Sequence, residues 1–204
     1  MDFTTLYVII LLNAASLCTI WGAIAYTYRD LAPARFWLLS CVLPLLSGMV
    51  LALQGANGFL LPTLLANALG LLGLFSMWMG VRVFHGKGAG WRTALLATAA
   101  LTAAMAATFY PWWGRNPLFS AAQAVPMIMT AVFLLHPERR SLGGRMSAIA
   151  LSLAAAVNGS LSIANATLLT HNPLPQAVVT DLAGFSLAAM IFSMVVANFG
   201  LIVM

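Results

Sequence analysis

Apolar residues run along this chain in seven stretches, Thr4–Tyr28, Ala34–Gln54, Gly58–Phe84, Thr93–Tyr110, Pro117–His136, Met146–Thr170 and Pro175–Met204, with short gaps between them that collect most of the charge. Roughly 20 residues cross a bilayer as a helix, and the shortest stretch, Thr93–Tyr110, lies at the lower end of the workable range. Backbone polar groups in hydrocarbon must be paired within their own segment, and nothing here alternates as a barrel strand would. The pattern therefore predicts an all-α integral membrane protein, a seven-transmembrane-helix bundle forming one domain over residues 1–204.

Punctuation sharpens the helix ends. Three gaps place Asn or Gly before a proline near the start of the returning helix: Gly55-Ala56-Asn57-Gly58 before Pro62, Asn116-Pro117, and Asn172-Pro173-Leu174-Pro175. Proline is tolerated there because the missing N–H would have no intrahelical partner anyway. Pro44 and Pro126 fall inside the second and fifth helices and are expected to kink them. The fourth helix, rich in alanine at Ala99, Ala100, Ala103, Ala104, Ala106 and Ala107, is expected to be a central packing helix.

Charge adds direction. Only 6% of residues are charged and 62% are hydrophobic, against about a quarter charged in a soluble domain. Eight of the nine Lys and Arg residues lie on one side: Arg29 and Arg35, then Arg82, Lys87 and Arg92, then Arg139, Arg140 and Arg145, with only Arg115 opposite. The positive-inside rule puts the N-terminus outside and the C-terminus in the cytoplasm of a bacterial inner membrane. Tyr110, Trp112 and Trp113 at the outer level, and Phe36 and Trp37 at the inner one, suit interface anchors. The net charge of +5 reads as topogenic charge facing membrane lipids, with no nucleic-acid partner. The first stretch follows Asp2 instead of a basic region, so it is expected to remain as a mature helix. Cys18 and Cys41 reach similar depth in neighbouring helices and read as small buried hydrophobes.

Polar side chains inside hydrocarbon ask for a reason. Counting about 1.5 Å per residue, Asn13, Asn67, Gln123, Asn165 and Asp181 all fall in the outer half, one from each of five helices. Asp181 is the only carboxylate within a stretch; Arg115 and His171 are the nearby outer-gap groups, and Trp112 and Trp113 would stand at the mouth. Taken singly, each amide serves as packing glue worth about 1 kcal/mol or less. Taken together, the nine residues form a candidate site for a small or amphipathic ligand. Asn158 and Asn198 lie deeper, and interhelical hydrogen bonding is their expected use; Asn158-Gly159-Ser160 and Asn165-Ala166-Thr167 match a glycosylation pattern that a membrane span makes inaccessible.

No catalytic constellation is present, and no cofactor or metal site is expected. A retinal protein needs a lysine in a late helix, whereas the only lysine is Lys87 in a gap. Haem would want paired histidines within the bundle, yet His85 and His136 sit at inner helix ends and His171 in an outer gap. A site of His85, His136 and Glu138 would be interfacial, where such groups are usually solvated.

The third helix, Pro62-Thr63-Leu64-Leu65-Ala66-Asn67-Ala68-Leu69 running through Gly73 to Gly80-Val81-Arg82-Val83-Phe84-His85-Gly86, resembles a segment of the N-terminal membrane sensor modules that precede bacterial GGDEF diguanylate cyclases and some histidine kinases. The similarity extends loosely over the whole chain through Trp37 and the polar seventh helix. It implies a homodimeric receptor unit that relays a signal through helix seven to a cytoplasmic domain making cyclic di-GMP. The sequence carries no GGDEF motif, so the resemblance implies an isolated input module or part of a longer protein, not itself an enzyme. A small-solute transporter, and a structural anchor or dimerisation unit, are the competing expectations.

Overall fold

Long apolar runs leave the backbone few ways to pair its polar groups other than within a helix, and the computed structural model is helical accordingly. It describes residues 3–54, 59–109, 117–139, 141–170 and 176–204. Among these there is no strand, and seven α-helices follow in order: α1 (Phe3–Thr27), α2 (Ala32–Gln54), α3 (Leu60–Phe84), α4 (Trp91–Ala107), α5 (Pro117–Leu135), α6 (Leu142–Thr170) and α7 (Gln176–Val203), with a short 3-10 turn at Pro137–Arg139. Four of them contain segments long and apolar enough to cross a membrane, Ala32–Leu53, Leu60–Phe84, Pro117–Leu135 and Leu142–Ala166. Their length and apolar composition are those of membrane-spanning helices.

The helices outrun the apolar stretches at their basic ends. α2 starts before Arg35, α4 before Arg92 and α6 before Arg145, so these cations belong to first helical turns and not to loops. All three are exposed. A long side chain can cover apolar surface with its stem while its head stays in water, so the helix continues under the charge.

The chain divides into two compact units, Tyr7–Ala107 and Thr108–Met204 together with Met1–Leu6. In the first, α2 and α3 are antiparallel and meet along small residues. Ser47 Oγ donates to Ala66 O at 2.6 Å. A Cβ on Gly73 would fall 2.6 Å from Pro44 Cδ, and one on Gly80 would fall 2.5 Å from Trp37 Nε1. Ala66, Gly73 and Gly80 thus let α2 lie against the α3 backbone, which is how membrane helices gain packing without a hydrophobic drive. Pro44 nests in that groove and α2 runs through it unbroken. α1 joins through Trp21, whose ring lies 4.9 Å from that of Trp37.

Within its unit α4 is not the central helix that its alanines suggested. It buries Ala94, Thr98 and Met105, while Ala99, Ala100, Ala103, Ala104 and Ala107 are exposed. Alanine permits close approach on any side, so its presence does not say which side is used.

In the second unit α6 lies between contacts with α5 and α7. Ser162 Oγ donates to Pro117 O at 2.8 Å, Leu134 packs near Gly144, and Ser147 Oγ donates to Ala197 O at 2.8 Å. At the Ser147 level the approach of α7 is at backbone distance. A Cβ on Gly143 would collide with Gly200 O and lie 2.8 Å from Met204 N; one on Gly200 would collide with Ser147 Oγ and lie 2.6 Å from Gly143 O. Pro126 is inside α5, which also continues unbroken, and the Pro126 carbonyl accepts from Thr130 Oγ1 at 2.7 Å.

Candidate functional site

The polar groups inside the spans are the natural starting point, and the helices distribute them over the two units. Asn13 on α1 and Asn67 on α3 belong to the first unit; Gln123 on α5 and Asn165 on α6 belong to the second. All four are half-buried. Asn67 Nδ2 donates to Thr63 O at 2.8 Å, one turn back on its own helix. Within either unit, no hydrogen bond among the described residues joins two of these groups. Asp181 falls within α7, but its side chain lies outside the described residues, as do Trp112, Trp113, Arg115 and His171 altogether.

Asn158 is different. It is 2% exposed, the most buried asparagine among the described residues together with Asn198, and three helices converge on it. Its Nδ2 donates to Ala154 O at 3.0 Å, to Met190 Sδ on α7 at 3.3 Å, and faces Met127 Sδ on α5 at 3.9 Å. Thioether sulfur is a weak acceptor, so the amide is held mainly by its own helix and only loosely by its neighbours. Replacing Asn158 by leucine should therefore cost about 1 kcal/mol or less, read as a small change in unfolding free energy in mixed micelles. A loss several times larger would show that the sulfur contacts carry more than this.

Further along α7, Ser193 is 1% exposed, and its hydroxyl has no hydrogen-bond partner among the described residues. Asn198 Nδ2 donates to Met194 O at 2.8 Å. Beyond them comes the tight Gly143–Ser147–Ala197–Gly200 crossing. α7 is therefore gripped firmly toward its C-terminal end, and at Met190 it meets Asn158 only through sulfur.

Sequence reading found the amides by type and depth but missed this crossing. The signal was present as small residues four apart at Gly143 and Ser147 and three apart at Ala197 and Gly200.

At the basic end of the first unit, Arg82 organises the turn between α3 and α4. Its guanidinium lies 4.8 Å from the Trp78 ring centroid, and Nε donates to Gly88 O at 2.8 Å. Gly86 and Gly90 both take positive φ, and Gly90 also packs on the Trp78 ring, so a side chain at Gly90 would be strained and crowded at once. His136, in the second unit, lies 3.9 Å from Glu138. No three of His, Cys, Asp and Glu gather among the described residues.

Comparison with protein-family models, with curated proteins and with solved structures finds no match. The functional reading therefore rests on the residues and their packing.

Proposed function

We propose that this chain is a sensory input module of a bacterial inner membrane. In this reading it has seven spans, the N-terminus is outside, and α7 carries a signal from the outer polar layer to a cytoplasmic output of the diguanylate cyclase class. The observation that carries the reading is the uneven grip on α7. A helix packed on α6 at backbone distance at Gly143 and Gly200, and meeting Asn158 at Met190 through an N–H···S contact, can tilt about that crossing as a fulcrum, which passes the motion to the cytoplasmic side. The unpaired Ser193 hydroxyl supports a second position, because a small rotation that gives it a partner recovers a buried hydrogen bond. A ligand biases such an element only by binding its two positions with different affinity, typically by 5- to 150-fold.

Asp181, Asn165 and Gln123 are the ligand groups proposed on the helices of this unit, with Asn13, Asn67, Arg115, His171, Trp112 and Trp113 completing the outer layer. The transporter reading asks for helices broken near the midplane, whereas α2 and α5 run continuously through their prolines.

Asp181→Asn is the direct test. In cells producing this chain joined to such an output domain, the cyclic di-GMP level should change across growth conditions, and the variant should flatten that response by about tenfold, within the usual range of allosteric couplings. Reporter fusions at both termini should give opposite faces and be unchanged by the substitution. The same response profile in wild type and variant removes Asp181 from the site, and termini on one face remove the relay.

A further inference from the structure

The basic end of the Tyr7–Ala107 unit is a surface where Arg29, Arg35, Lys87 and Arg92 outnumber one acid, Asp30. Arg35 Nη2 donates to Arg29 O at 3.2 Å, which ties the first turn of α2 to the end of α1. The Phe36 and Trp91 rings meet with centroids 5.6 Å apart, which brings the first turn of α4, with Arg92, beside the first turn of α2, with Arg35. Lys87 stands exposed on the turn leading into Trp91. The contact between His136 and Glu138 lies in the other unit; among the described residues none of Arg29, Arg35, Lys87 and Arg92 takes part in an ion pair. The unit's only acid is the exposed Asp30.

Large rings share this end. Tyr26 is 74% exposed and Trp91 45% exposed, and Arg29 lies 5.3 Å from the Tyr26 centroid. In water an open indole and an open phenol beside a cluster of like charges would be a poor surface on both counts. At the boundary of a bilayer both costs disappear, since the rings rest at headgroup level and the cations meet phosphate.

We infer that this end is a binding site for the phosphate of an anionic phospholipid, with Arg35 and Arg92 as its main ligands and Trp91 against the glycerol region. Guanidinium suits this role because its planar fork can take two phosphate oxygens at once. Arg29 and Lys87 add attraction from the flanks. A soluble anion would satisfy the cations but leaves the exposed rings unexplained, which is why a lipid is the occupant. The inference depends on the membrane reading of the chain and not on the sensory one.

Native mass spectrometry of the purified full chain, released from micelles holding equal amounts of phosphatidylglycerol and phosphatidylcholine, tests this. The wild type should retain the anionic lipid preferentially. Arg35→Gln with Arg92→Gln should lower that preference on the order of tenfold, since each basic group near an anionic surface contributes appreciably, and Arg35→Lys with Arg92→Lys should keep part of it. Millimolar inorganic phosphate should not displace the lipid. Equal retention of the two lipids by the wild type overturns the inference, as does an undiminished preference in the double glutamine variant. Displacement by phosphate would show a soluble-anion site instead and equally overturns it. The Asp181 assay is independent of all these outcomes.

Discussion

Gly200→Leu will separate α6 from α7 and lower the stability of the chain more than any single loss of a polar group inside it. The Cβ alone collides with Ser147 Oγ, and within 3.0 Å it also meets Gly143 O and Ser147 N. Two of these three atoms are backbone, so no rotamer change relieves them. Overpacking of a tight core costs typically 1–3 kcal/mol, and this site belongs at about 3 kcal/mol or above because the helices must move as bodies. The crossing hydrogen bond from Ser147 to Ala197 O would be lost in the same movement. Gly159→Ala makes the paired control, since a Cβ there meets nothing within 4 Å, and better helix propensity should leave stability unchanged or raise it by up to about 1 kcal/mol. Thermal unfolding in detergent, followed by far-ultraviolet circular dichroism, distinguishes the two. Equal melting temperatures for Gly200→Leu and wild type would mean that α6 and α7 do not meet at this level.

Gly80→Val should displace the Trp37 indole, with an effect seen first in the aromatic packing. Trp37 is 2% exposed, its ring sits between Trp21 at 4.9 Å and Phe84 at 5.9 Å, and its Nε1 faces the bare Cα of Gly80. That N–H has no partner among the described residues, so the indole is positioned by shape alone. A Cβ would fall 2.5 Å from Nε1 and 3.2 Å from Phe36 Cβ, leaving the ring no space in its present orientation. The three added carbons of valine in this position should cost about 2 kcal/mol. The near-ultraviolet circular dichroism bands of tryptophan should weaken while helix content stays the same. Bands identical to wild type would mean that Trp37 does not rest on Gly80.

The sequence speaks plainly about which segments are helical and barely at all about which way they face. Seven apolar stretches correspond to seven helices because hydrocarbon admits few other backbone states. Their ends were legible where proline and asparagine mark them, and blurred where arginine does, since Arg35, Arg92 and Arg145 turned out to ride on helices. Facing direction is a different matter. In a soluble helix the polar side reveals the apolar one, but α3, α6 and α7 are apolar nearly all round, and Gly73, Gly80, Gly143 and Gly200 look the same in sequence as Gly159, where an added Cβ would meet nothing within 4 Å. The alanines of α4 misled for that reason. Among the candidate site residues, depth could be counted along the chain. Convergence could not, and the one amide that three helices visibly surround, Asn158, was set apart from the outer group by its depth.

The amides of Asn67, Asn158 and Asn198 share one habit, in that each donates to the carbonyl four residues earlier on its own helix, at 2.8, 3.0 and 2.8 Å. The hydroxyls of Ser16, Thr19, Thr63, Ser76 and Thr130 do the same. A nascent helix leaving the ribosome can therefore enter lipid with these polar side chains already occupied, before any companion has arrived. Biogenesis of this chain need not wait for the bundle, and assembly is left to the glycines.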